Sequence, residues 1–229
     1  MSAILLGTLV LAIQLPDAVY IGIDSKVIAV GAEVVNVLPI PKIHQVIDVV
    51  FAHAGIFKDS QGKLDVEGIA RASIVAGGNL EMVVDRFATA DEPQLSAALT
   101  DIREQNPLYF KEKMKRPLEV LFAYARAGTP QVIVVFFEVM DPSASKLSFR
   151  ITRLRCPGDC PKADGSWIAL GEHDAADRFL DAHPEVLRTR GPIAAIEEAV
   201  AHQASATPDF VSLPTVVVRV DGVGVHFIK

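Results

Sequence analysis

Groups able to do chemistry are densest between Gly7 and Asp59. In order they are Gly7-Thr8, Asp24-Ser25-Lys26, Lys42-Ile43 and the run AGIFKD at residues 54–59. Taken singly, each has an ordinary explanation. Threonine favours strands, Asp-Ser commonly starts a turn, Lys42 after Pro41 can end a strand in solvent, and Gly55 can make a bend. The only two cysteines, Cys156 and Cys160, flank the turn residues of CPGDC. That turn could let them pair or share a metal. Two thiols alone make a poor zinc site, however, and the spacing lacks the usual CxxC, so a pair of thiols on a surface hairpin is the plainer reading. The six histidines (His44, His53, His173, His183, His202, His226) are scattered without metal-ligand spacing and read as structural or surface residues. No GxGxxG, P-loop, HExxH or GxSxG motif occurs, so neither a metal nor a cofactor is expected.

The elements that must position these groups follow from composition and pattern. The chain has 229 residues, of which 50% are hydrophobic and 22% charged. That fits one domain, residues 1–229, with a sizeable core. The formal charge of −6 argues against broad nucleic-acid or anionic-membrane binding. The uncharged stretch at residues 1–15 has no preceding Lys or Arg and no small-x-small cleavage site, so it does not read as a signal peptide. It is also too short to span a bilayer. A cytoplasmic chain without membrane association is expected.

Apolar runs at 8–15 and 18–23, joined at Pro16-Asp17, read as a hairpin. Residues 27–37, broken by Gly31, and then 42–46 and 48–54 continue the strands. Helical spacing covers 65–88, weakened by Gly77-Gly78, and 91–104, with Asp91 as N-cap and Pro93 near the start. Residues 106–116 follow or extend that helix, with a solvated basic face. Strands return at 118–125, 131–139, 147–153 and 167–170, with a turn at 127–130. Helices at 174–182 and 193–203 precede a closing hairpin at 215–220 and 223–228. Because helices are grouped rather than alternating with strands, a Rossmann plan is disfavoured. An α+β arrangement of two antiparallel sheets packed face to face, with helix pairs outside, fits better.

The ordered motifs of the first quarter resemble the β subunits of the proteasome and their bacterial relatives, within the N-terminal-nucleophile (Ntn) hydrolases. That family opens with Gly-Thr before an apolar strand. A turn and a second strand end in Asp-Ser-Arg or a near variant, Lys-Ile/Val follows, and a strand leads into Ala-Gly-x-x-x-Asp. The spacing from Thr8 to Asp24 is the family's, and the segment from Asp24 to Lys42 is slightly longer. The second half resembles the family more loosely, through Ile168-Ala169-Leu170-Gly171 before a helix and Asp209-Phe210-Val211-Ser212 before the closing strands. The resemblance implies the family's four-layer αββα sandwich.

It also implies a threonine peptidase. Self-cleavage after Gly7 would remove residues 1–7 as a propeptide and make Thr8 the N-terminal nucleophile. A hydroxyl needs a base nearby, and a free α-amine, with a reference pKa of about 7.7–8.0, can serve near neutral pH. Lys42 would tune the site and Asp24 would anchor Lys42. The Gly55 amide would donate to the oxyanion, and Asp209 and Ser212 would support the amine. His53 and Phe57 would line the pocket for a substrate side chain. Implied partners are a peptide or unfolded-protein substrate, further copies in a ring-shaped chamber, and an α-type ring or ATPase unfoldase. Two departures stand out. Glu172 replaces the family's serine after Gly171, where a carboxylate would hold the amine charged, and Leu213-Pro214 replaces Gly-Gly after Ser212. A non-catalytic ring subunit that keeps its N-terminal segment is therefore the alternative reading. A small-molecule amidase is a third.

Overall fold

In the computed structural model, residues 4–30, 34–37, 42–124, 130–160 and 166–228 are described. The expected break at Gly31, the turn residues 127–129 and the first three residues of the expected propeptide lie outside them. The first strand, β1 (Ile4–Gly7), runs through Thr8 directly into β2 (Leu9–Gln14). β2 returns through Pro16-Asp17 as β3 (Ala18–Ile23), with the Leu15 amide donating to the Ala18 carbonyl at 2.8 Å. Then come β4 (Val27–Val30), β5 (Val34–Val37), β6 (Ile43–Val46) and the long β7 (Val49–Asp59). After the first helices the chain forms β8 (Leu118–Tyr124), β9 (Gln131–Val139), β10 (Phe149–Cys156) and β11 (Ser166–Gly171). It closes with β12 (Val216–Asp221) and β13 (Gly224–Phe227).

The strands make two antiparallel sheets. The larger has eight strands in the order β10-β9-β8-β7-β1-β4-β5, with β6 also paired to β7; the smaller has five in the order β11-β2-β3-β12-β13. Alternation explains the stacking. On β2, Val10 and Ala12 join Val50, Ala52, Ala54, Leu121 and Val134 of the larger sheet in the layer between the sheets. Leu9, Leu11 and Ile13 point the other way, onto helices. With both faces covered, β2 is buried at every position, which is why it reads as an uninterrupted apolar run. Cys156 and Cys160 are joined in a disulfide and buried at 3% and 6% exposure, not a free thiol pair at the surface.

Five helical elements complete the described chain: α1 (Val66–Val75), α2 (Leu80–Gln105), α3 (Pro107–Lys113), α4 (Asp174–Ala182) and α5 (Pro184–Ala206), the last broken by a kink at Gly191. α1 starts where Asp65 caps the Gly68 amide. Gly77 and Gly78, both at positive φ, separate α1 from α2 rather than merely weakening one helix. The expected boundary at Asp91 does not exist. Asp91 and Pro93 lie inside α2, because Phe87, Ala88, Leu95, Ala98 and Leu99 bury the helix on both sides of the proline and packing overrides its local cost.

The expected four-layer αββα sandwich is overturned. α1 packs chiefly on α2; against the sheets, α1 meets β6 and β7, α2 meets β8 and β9, and α5 meets β2 and β3, while α4 packs chiefly on α5. The larger sheet is seven strands wide, with β6 and β1 sharing one side of β7; at about 4.8 Å spacing that is roughly 29 Å, and two helices about 10 Å apart cover about two thirds of it. The molecule is a pair of antiparallel sheets, of eight and five strands, with five helices placed in patches rather than in complete outer layers. No helix among the described residues is long and apolar enough to cross a membrane.

Candidate functional site

Thr8 is the point at which the chain leaves the larger sheet, as β1, and enters the smaller one, as β2. β1 is an interior strand. Its Gly7 lies opposite Gly55 of β7 on one side and Val27 of β4 on the other. The Gly7–Thr8 peptide bond therefore lies beside Gly55, at the end of the seam between the sheets. Gly55 has φ +85°, and a Cβ there would run into the Pro117 carbonyl. A glycine is required at this crossing.

The hairpin β2–β3 returns Asp24 to Thr8, and the start of β6 brings in Lys42. The Thr8 hydroxyl is 2.9 Å from each Asp24 carboxylate oxygen and 3.3 Å from the Lys26 carbonyl. A hydroxyl has one proton, so these acceptors compete for it. The Lys42 ammonium donates to Asp24 Oδ1, to the Lys26 carbonyl at 2.8 Å and, at 3.5 Å, to the Thr8 hydroxyl. Asp24 also accepts from the amides of Leu9 (3.1 Å), Lys26 (2.9 Å) and Ser212 (3.3 Å). Asp24 and Lys42 have no exposed surface, and Thr8 is 4% exposed. Burial pulls the Lys42 ammonium below its ordinary value, and the charge and hydrogen bond of Asp24 oppose that. The arrangement holds one hydroxyl between a fully donated carboxylate and an ammonium of weakened proton affinity.

The other expected residues are placed differently. Ser212 reaches the cluster by its backbone amide, and its hydroxyl is 3.1 Å from that of Ser25 rather than on Thr8. Asp209 is exposed in the turn after α5 and stands apart from the Thr8–Asp24–Lys42 hydrogen bonds. His53 and Phe57 are buried and stacked, with ring centroids 4.4 Å apart. Neither lines the cavity at Thr8. Both ring nitrogens of His53 lack a hydrogen-bond partner among the described residues. Burial, then the charges of His44 and Lys42, push its pKa down to about 3. Glu172, at the position of the family's serine, meets Thr8 through its backbone, its amide donating to the Thr8 carbonyl at 2.7 Å.

A cavity of about 350 Å³ opens beside Thr8 and Gly55, and its polar wall includes Tyr109, Arg116, Glu119, Glu172 and His173. The Tyr109 hydroxyl is pushed up to about 12 by burial and by the carboxylate of Glu172. Glu119 and Tyr109 escaped the sequence reading. For Glu119 a signal existed: it is the single charge in the strand LEVLFAY, whose neighbours on both sides are buried. Among the described residues no cluster of histidine, cysteine or carboxylate groups could hold a metal ion.

Neither a scan against protein-family models nor a search of curated proteins gives a match to this chain. The chemical reading therefore rests on the site and on the order of its residues in the sequence.

Proposed function

We propose that this chain is a threonine-type hydrolase of peptide bonds whose nucleophile is Thr8, freed as an N-terminal residue by cleavage after Gly7. The observation that carries the reading is the convergence of the Thr8 hydroxyl, Asp24 and Lys42 beside the Gly7–Thr8 bond. In the maturation step the Thr8 oxygen adds to the Gly7 carbonyl carbon and the bond to the Thr8 nitrogen breaks. The acyl group thereby moves to oxygen as an ester. Water then splits the ester into a Gly7 carboxylate and a free Thr8 amine. In turnover that amine takes the hydroxyl proton and the oxygen attacks a substrate amide. The leaving amine takes the proton, and water hydrolyses the acyl ester. Lys42 places positive charge beside the reacting oxygen, and Asp24 holds Lys42. Gly55, opposite Gly7 in the ladder, would supply the oxyanion donor, and one such donor is worth about 3–4 kcal/mol.

The position of β1 supports a peptide as substrate. Its departure would leave a strand-wide slot between β4 and β7, both able to pair with an extended chain. Confinement in a ring of further copies, delivery by an α-type ring or an ATPase unfoldase, and a cytoplasmic setting belong to the same proposal.

The same strand favours a second reading. β1 occupies an interior position of the larger sheet, and losing it removes two ladders. A non-catalytic subunit that keeps residues 1–7 would use Asp24 and Lys42 to fasten the crossover at Thr8. Intact-mass analysis of purified protein separates the two readings. Loss of residues 1–7, absent in Thr8→Ala, and labelling of Thr8 by a threonine-directed electrophile support the hydrolase. Full-length mass with no label supports the non-catalytic subunit.

A further inference from the structure

We infer that Glu119 is a positioning residue that fixes the Thr8 backbone through the Gly171–Glu172 turn, an inference that deepens the hydrolase reading above and rests on it for its functional half. Glu119 lies on β8 opposite Ala54 of β7, whose side chain belongs to the layer between the sheets. Opposed residues of an antiparallel pair share a face, so Glu119 points from the larger sheet toward the smaller. It is 6% exposed, and its Oε2 accepts the Gly171 amide at 2.7 Å. The next amide along, that of Glu172, donates to the Thr8 carbonyl at 2.7 Å. Glu119 thus reaches Thr8 in two hydrogen bonds through one turn, across the gap between sheets where the chain itself crosses.

The turn leaves little slack. Gly171 has φ +79°, and a Cβ there would meet both the Thr8 carbonyl oxygen and Ala54. Small displacements of this turn therefore move the residue that carries the nucleophile. The groups facing Glu119 are Arg116, 3.5 Å from Oε1 and half exposed, and, across the cavity, Tyr109, Lys115, Glu172 and His173. Burial raises the Glu119 carboxyl above its ordinary value, while the Gly171 amide and Arg116 oppose that. A buried acceptor of this kind is retained where it orders a neighbour.

The test compares wild type, Glu119→Gln, which keeps an acceptor for the Gly171 amide, and Glu119→Ala, which does not. Amide hydrogen exchange at Gly171 and Glu172 and the rate at which the truncated mass appears are both measured. A hydrogen bond to a charged group is worth about tenfold to a hundredfold. Glu119→Ala is expected to speed exchange at both amides and slow cleavage by that factor, and Glu119→Gln to stay within about threefold of wild type. Unchanged exchange at Glu172 in Glu119→Ala overturns the inference. So does equal slowing by both variants while Glu119→Gln keeps its protected amides. If Glu119→Ala does not fold, the wild-type Gly171 and Glu172 amide resonances decide. They should shift together with the Glu119 carboxyl carbon on titration, and resonances that stay still overturn the inference. A wild type that never loses residues 1–7 and takes no label removes the hydrolase reading instead, and the exchange measurement still judges Glu119.

Discussion

Two fully buried aspartates, Asp24 and Asp91, illustrate what a protein can do with a carboxylate out of water. Asp24, in the seam between the sheets, accepts from three backbone amides, a hydroxyl and an ammonium. Asp91, inside α2 between the apolar turns of Phe87 and Leu95, has no partner for either oxygen among the described residues. Burial raises its pKa to about 7. Donors satisfy every oxygen of the first carboxylate; their lack leaves the second neutral or costly. The difference does not lie in the residue type, nor in the degree of burial, but in whether other segments bring donors to it.

Removing the first aspartate has the largest expected effect. Asp24→Ala strands the Lys42 ammonium in a buried site, a loss of about 3–5 kcal/mol, and should also abolish cleavage after Gly7. Chemical denaturation followed by intact mass reads both. An Asp24→Ala protein as stable as wild type would dissolve the contrast. Lys42→Met with Asp24→Asn, which removes both charges, should recover much of the stability and none of the cleavage.

The second effect comes from Asp91 and depends on pH. Its folded pKa lies above the unfolded value, so the folded state binds the extra proton between about pH 4 and 7. Stability falls as pH rises through that window. The rise to about 7 corresponds to a loss of roughly 4 kcal/mol above pH 7. Asp91→Leu should flatten the stability profile between pH 5 and 8 and be more stable than wild type at pH 8. A wild-type profile flat over that range would show that Asp91 has found a donor.

The smallest effect concerns His53, which is buried like Asp91 but carries base rather than acid. Its folded pKa lies below the unfolded value, so the neutral form is favoured and its contribution is lost as pH falls from about 6.5 toward 3. His53→Phe, which removes two unpartnered nitrogens from the stack on Phe57, should gain about 1–2 kcal/mol at pH 5 and less at pH 7.5. Thermal melts at the two pH values measure it, and equal gains at both would assign the effect to packing alone.

Much of the strand framework is legible in the sequence. β2 and β3 were found from an apolar run broken at Pro16-Asp17, and the closing hairpin from Asp221-Gly222. Thr8, Asp24 and Lys42 stand out only through the motif order that carries the resemblance, since each alone reads as an ordinary strand or turn residue. The helix boundaries were less legible. In the sequence Gly77-Gly78 reads as a weakness where it is a break, and Asp91 as a cap where it is helix interior, because a cap and a buried carboxylate look alike until packing is known. The helix cover was also misjudged. Grouping predicts which elements are helical but not how much of each sheet a helix can reach.

Sequence alone determined the local facts: which stretches are apolar strands and where turns such as Pro16-Asp17 join them. These depend on neighbours within a few positions, whose contacts the backbone fixes. Tertiary structure alone decided the fate of each buried charge. The Ser212 amide that helps hold Asp24 is 188 residues away along the chain, and the Gly171 amide that meets Glu119 is 52 away. A buried charge takes its character from donors within about 3 Å, and over such separations only the folded path of the chain decides which donors arrive.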